Sequence, residues 1–220
     1  LCAVVAFSVG AATSYANLVN HWKFDEASWN GTAGEVVDSS GNGHHGTAID
    51  GATTVAGRGG FWGRAASLDG VNDWLDFGDS PDYDLQDFTF TAWINLNQDE
   101  AAPVDFQIID KNFQYQWRLD FDGQDKLQLG VWDSAGTPGH RGDLNDFDTG
   151  VWYHVAAVVS GNSIQHYING ATDGSLNTGI NPPLDTGGGT KLGVGATFNG
   201  QSKFFDGLID DVQMYDTALS

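Results

Sequence analysis

The stretch "DSSGNGHHGTAIDG", Asp38 to Gly51, crowds small residues, two histidines and acids into one bend. A phosphate cradle, a metal loop and a plain double turn all use such a bend, because glycine reaches positive φ and lets other groups approach the backbone. No phosphate loop is recognisable in the chain: "GRGGFWG", residues 57–63, lacks the lysine and following helix that such a loop requires. Nor do His44 and His45 make a zinc pair. Neighbouring side chains of an extended segment point apart, and beyond Cys2 the chain has no thiolate to complete a site.

Hydrolysis of a glycosidic bond needs two carboxylates flanking it, one as acid and one as nucleophile or base. Glu26, Glu35 and Glu100 are the only glutamates, far apart and on no convincing central strand. Asp120 and Asp122 share a face, but beside "FDGQD" they read as a hairpin end. No glycine-framed serine nucleophile is present either. The acids are otherwise all aspartates, which suit turns and caps. A catalytic reading is therefore not expected.

Aromatic rings offer different chemistry, since Trp and Tyr stack on sugar faces while keeping a polar edge. Trp22, Trp93, Trp117 and Trp152 fall inside strand patterns and are predicted to be core. Trp29, Trp62, Trp74 and Trp132 lie in or beside loops; of these, Trp62, Trp74 and Trp132 are the candidate ligand-binding rings. Arg141, in "GHRGD", and Asn112 are candidate hydrogen-bond partners for hydroxyls. The RGD tripeptide at 141–143 is too short to carry information by itself.

These groups must be positioned by strands. After Asn17 the apolar residues alternate with polar ones in short runs separated by Gly, Asn and Asp. In "FTFTAWINL", Phe88, Phe90, Ala92 and Ile94 share one face; Trp117, Leu119 and Phe121 do so in "QWRLDF", and Leu127, Leu129 and Val131 in "KLQLGVW". "VWYHVAAVV", from Val151, is apolar on both faces and predicts a strand covered on both sides. Asn169-Gly170 is the strongest hairpin signal, as a type I′ turn wants positive φ at both central residues. Further strands are predicted at "LVNHWKF", "AASLDG", "DWLDF", "KLGVG" and "GLIDDVQMY". No window carries a helical stripe. The expected fold is all-β, a two-sheet antiparallel jelly-roll sandwich.

The 220 residues suffice for one sizeable core, with 40% hydrophobic and 12% aromatic content. A formal net charge of −20 repels phosphate backbones and anionic lipid surfaces, which argues against nucleic acid as a partner. Residues 1–16 are apolar, then small, and end in a Ser14-Tyr15-Ala16 pattern like a secretory cleavage site. The expected organisation is a signal-peptide remnant at 1–16 and one domain at 17–220, secreted or at the cell surface. Cleavage would remove Cys2, the only cysteine, leaving packing, hydrogen bonds or a metal ion to stabilise the fold. No other apolar run approaches a membrane-spanning length, so membrane insertion of the mature chain is not expected.

In chain order, "HWKFDE", "VVDSSGNGHHGTA", "AASLDGVNDWLDFG", "FTFTAWI", "GVWYHVAAVVSGNSIQHYINGA" and "FFDGLIDDVQMYDTALS" resemble the laminin-G-like domains of the concanavalin A-like lectin and glucanase superfamily, of the bacterial secreted type related to pentraxins. The resemblance runs from about Leu18 to Ser220. It implies a jelly roll whose first and last strands are neighbours, which brings "FDE" near "LIDDV". It also implies a structural calcium ion beside the Gly-Asn-Gly turn, held by Asp25, Asn42, Asp211 and a carbonyl near His44, with Asp38 serving either the metal or the bend. Calcium, a hard cation taking roughly six to eight oxygens, suits such a loop. The implied function is a noncatalytic carbohydrate-binding module; the alternative is a protein-interaction or adhesion domain of a larger surface protein. The partner is then a glycan or an extracellular protein.

Overall fold

The computed structural model describes residues 17–60, 63–98, 105–112, 114–120, 126–133, 135–136, 139–141, 147–186, 188–197 and 199–220. The predicted leader at 1–16 and Trp62 lie outside the described residues. Among the described residues the chain has no α-helix, only short 3-10 turns at Arg58–Gly60 and Pro81–Tyr83. Among these residues no helix is long and apolar enough to cross a membrane.

Among the described residues fifteen strands follow in order: β1 (Leu18–Trp22), β2 (Thr47–Ile49), β3 (Thr53–Ala56), β4 (Arg64–Asp69), β5 (Trp74–Asp76), β6 (Phe88–Leu96), β7 (Phe106–Lys111) and β8 (Tyr115–Asp120). The second half supplies β9 (Lys126–Val131), β10 (Gly139–Arg141), β11 (Tyr153–Ser160), β12 (Ser163–Ile168), β13 (Ala171–Thr178), β14 (Leu192–Val194) and β15 (Asp206–Tyr215). They form two antiparallel sheets. The larger runs β13-β12-β11-β6-β15-β4-β3 with β1 also on β15, and the smaller runs β10-β9-β8-β7-β14-β5-β2.

The core lies between the sheets, as the alternation predicts. Phe88, Phe90, Ala92 and Ile94 of β6 are fully buried and face Tyr115, Trp117 and Leu119 of β8, with Phe90 and Tyr115 ring centroids 4.9 Å apart. Trp22 is also fully buried, stacked on Phe77 at 3.8 Å, and its indole N–H donates to the His44 carbonyl at 2.9 Å. The Asn169-Gly170 hairpin forms between β12 and β13 with positive φ at both residues.

The neighbouring of first and last strands is observed: β1 pairs antiparallel with β15, His21 opposite Gln213 and Trp22 opposite Val212. β15 has two partners along one edge. Its first half, to Ile209, pairs with β4, and its second half, from Val212, pairs with β1. At this fork the strand is bulged, because its register against β6 shifts between Asp210 and Gln213 and Asp211 adopts φ of 52°. A bulge inserts one unpaired residue and re-aims its neighbours. Ile209, Val212 and Met214 therefore stay in the core, and Asp210 and Asp211 come together on the outer side.

Candidate functional site

The outer face of the larger sheet carries a concave site bounded by aromatic rings. Alternation turns Thr89, Thr91 and Trp93 of β6 outward, with His154, Ala156 and Val158 of β11 beside them. Tyr167 of β12 stands opposite Ala156. The C-terminal segment is tied over this face: Thr89 Oγ1 donates to the Thr217 carbonyl at 2.9 Å and accepts from the Leu219 N–H at 2.9 Å. The result is a trough of about 260 Å³. Its floor is Thr89, Thr91, Ala156 and Val158; His154 and Tyr167 form one wall and Leu219 lines it too. Small floor residues between a ring wall and a chain segment leave room for a flat, partly apolar ligand.

One end of the trough meets the fork. Trp93 packs edge-on to His154 at 5.1 Å, and the Arg58 guanidinium lies over the Trp93 ring, 3.9 Å from its centroid. Arg58 Nε also pairs with Asp210 Oδ2 at 3.4 Å, where the Asp210 side chain is only 4% exposed. Burial pushes the Asp210 carboxyl up to about 6; Asp211 and Asp25 add to the rise and Arg58 opposes it. His21 Nε2 meets Asp211 Oδ1 at 2.5 Å, Gln213 Nε2 lies 3.5 Å from the same oxygen, and the Tyr215 hydroxyl donates to Gln213 Oε1 at 2.5 Å. Burial holds His154 below the usual histidine range, with Asp211 acting against this and Arg58 with it. At neutral pH His154 is thus an uncharged imidazole, a donor at one nitrogen and an acceptor at the other.

The loop that opened the sequence reading is organised differently. Asp38 accepts from the His21 N–H at 3.0 Å and the Ser40 N–H at 2.9 Å through Oδ1, and from the Ser40 hydroxyl at 2.8 Å and the His44 N–H at 3.0 Å through Oδ2. Burial raises the cost of its charge, but these donors outweigh it and hold the carboxyl below the usual range. The His44 ring bridges Asn20 Oδ1 at 2.6 Å and Asp82 Oδ2 at 3.0 Å. Asn42 donates its amide to the carbonyls of Leu18 and Val19 at 2.9 and 2.8 Å.

The four expected calcium ligands are therefore held by separate partners. Asp25 Oδ1 accepts the Arg64 N–H at 2.9 Å, Asp211 pairs with His21, Asn42 turns its amide to β1, and the His44 carbonyl takes the Trp22 indole. Among the described residues no three His, Cys, Asp or Glu side chains gather in a way that could hold a metal ion. Three of the four expected calcium groups, Asp25, Asp211 and the His44 carbonyl, thus already have a hydrogen-bond partner within the protein.

The expected sugar-binding rings also fall elsewhere. Trp74 is only 6% exposed, because Gly193 and Gly200 lie so close that a Cβ on Gly200 would collide with the indole. It is closed to a ligand, and Asn112 is buried as well. Trp132 is half-buried just beyond β9, its N–H donating to the Gln114 carbonyl at 2.9 Å, and Arg141 stands opposite Gln128 on β10, both in the smaller sheet. Trp93 corrects the prediction in the other direction. Predicted as core, it is half-buried on the outer face, where the parity of "FTFTAWINL" already placed it opposite Phe88, Phe90 and Ala92. Trp152 is likewise half-buried, while Trp22 and Trp117 are core.

The two sheets and their buried interface define a concanavalin A-like jelly roll. The sequence pattern of the laminin G-type family of the concanavalin A-like lectin/glucanases superfamily matches residues 69–220, and the chain belongs to that family. No curated protein sequence matches it. Among solved structures it is similar to domain 4 of AbnA, a GH43 extracellular arabinanase from Geobacillus stearothermophilus, in complex with arabinotriose, with 26% identity over 93% of this chain and 95% of that one and a TM-score of 0.65. The botulinum neurotoxin serotype D binding domain matches at 14% identity and TM-score 0.64, and the same domain in complex with N-acetylneuraminic acid at 13% and 0.63. These cover 93% of this chain and 49% and 48% of those chains, and at such identity they speak for the fold alone.

Proposed function

We propose that the chain is a secreted, noncatalytic glycan-binding module and that the trough on the outer face of the larger sheet is where a saccharide sits. The trough itself is the observation that carries this reading: it is lined by the small residues Thr89, Thr91, Ala156 and Val158 and by the Tyr167 and His154 rings, with the Thr91 hydroxyl at its base. The likeness to an arabinanase domain in complex with arabinotriose supports it. The leader-like residues 1–16 support export. A noncatalytic role is supported by the wide separation of Glu26, Glu35 and Glu100 along the chain. Calcium is not required for this reading.

The test is isothermal titration of the full chain with neutral oligosaccharides, arabinotriose among them, beside Tyr167→Ala. Measurable binding that Tyr167→Ala weakens about tenfold or more, the loss expected of one stacked ring, supports the assignment. Absence of binding across a broad panel of glycans would overturn it and favour a protein partner.

A further inference from the structure

We infer that the trough selects neutral saccharides and rejects those bearing a carboxylate; this rests on the glycan reading above and narrows it to a ligand class. Among the described residues, no lysine or arginine side chain lines the trough. Its one imidazole, His154, is uncharged at neutral pH because it is withdrawn from water between Trp93 and the sheet. The nearest guanidinium, Arg58, is committed: it lies on the Trp93 ring and pairs with Asp210, so it is screened from an incoming anion.

At the same end of the trough two aspartates share the outer face, and this is a consequence of chain geometry. Without the bulge, strict alternation would turn one of Asp210 and Asp211 inward; the extra residue at φ 52° keeps both outside. Arg58 balances one of them. Asp211 remains, a third exposed, pointing to His21 and Gln213, and its field reaches both His154 and Tyr215. A uronate or sialate entering the trough meets that charge and a protein of net charge −20, with no fixed cation to repay its lost hydration. A neutral sugar meets uncharged partners instead: the His154 imidazole and the hydroxyls of Thr91 and Tyr167, with Gln213 beside Thr91 on the neighbouring strand. These suit hydroxyls that both give and accept hydrogen bonds.

The experiment titrates the full chain with three probes of similar size, arabinotriose, trigalacturonate and sialyllactose, at low and high salt, then repeats it with Asp211→Asn and Tyr167→Ala. The expected result is affinity for the neutral trisaccharide at least tenfold above both acidic probes, an advantage that narrows with salt and with Asp211→Asn. Equal or tighter binding of either acidic probe overturns the inference while leaving a glycan-binding module in place. Binding of none of the three, with none across a wider neutral panel, overturns the glycan reading itself. Neutral binding that Tyr167→Ala does not change moves the site away from the trough and overturns both.

Discussion

The 38–44 loop and the fork at Asp210-Asp211 both set buried aspartates against β1, and one residue, His21, touches both. Its backbone N–H goes to Asp38 and its ring to Asp211. Asp38 and Asp210 are almost equally buried, at 5% and 3% exposure, yet their carboxyls shift in opposite directions. Burial costs both of them. The difference lies in the donors: Asp38 is ringed by three backbone N–H groups and a hydroxyl from its own neighbourhood, whereas Asp210 relies on one guanidinium at 3.4 Å that also serves Trp93. An acid satisfied by the local backbone is a structural keystone; an acid left under-satisfied on a bulged strand depends on the cover that Arg58 and Trp93 give it.

That contrast is broken or sharpened first by removing each acid. Asp38→Ala deletes four hydrogen bonds to one charged group and strands three N–H donors, so it costs about 2–4 kcal/mol of unfolding free energy. Asp211→Ala removes a partly exposed hydrogen-bonded contact with His21 and costs roughly 1 kcal/mol or less. Urea unfolding of both variants measures the difference. A fork variant more damaging than the loop variant would reverse the assignment of roles.

The second, smaller effect is one of pH. Asp210 holds its proton more tightly when folded than unfolded, so stability falls as pH rises from about 4 toward about 6 and levels off above that. The drop is on the order of 2–3 kcal/mol. His154, whose folded value is lowered, works in the opposite sense as its own proton is shed. Subtracting the stability profile of Asp210→Asn from that of the parent chain isolates the aspartate. A difference profile that is flat across this window would mean that Asp210 is as well satisfied as Asp38.

The difference between loop and fork also marks what could be read in advance. Alternation gave the strands and the core of β6, and a type I′ signal gave the 169–170 hairpin, because both depend on neighbours in sequence. The bulge had a trace too: the inward residues Gly207 and Ile209 are followed by Val212 and Met214, a change of parity that requires one extra residue between them. Trp93 lies inside a strand pattern, which predicts core, yet the parity of that strand puts it on the outer face. The closure of Trp74, by contrast, depends on Gly193 and Gly200, more than a hundred residues away, and the trough depends on a terminal segment tied back over β6 by Thr89. Such long-range coverings leave no periodic trace.

The smallest expected effect concerns calcium. A ligand that binds only the folded state must raise the melting temperature, so millimolar calcium and excess chelator give melting temperatures within about 1 °C of each other if the loop is held by its own hydrogen bonds. The physical reason is that Asp38, the one acid central to the Gly-Asn-Gly turn, already has all four of its contacts from protein donors, and an ion would have to displace them. A calcium-dependent rise abolished by both Asp25→Ala and Asp211→Ala would require loop and fork to rearrange around a shared ion. The two aspartate environments would then be halves of one metal site, and the under-satisfied acid at the fork would be waiting for a cation rather than for a sugar.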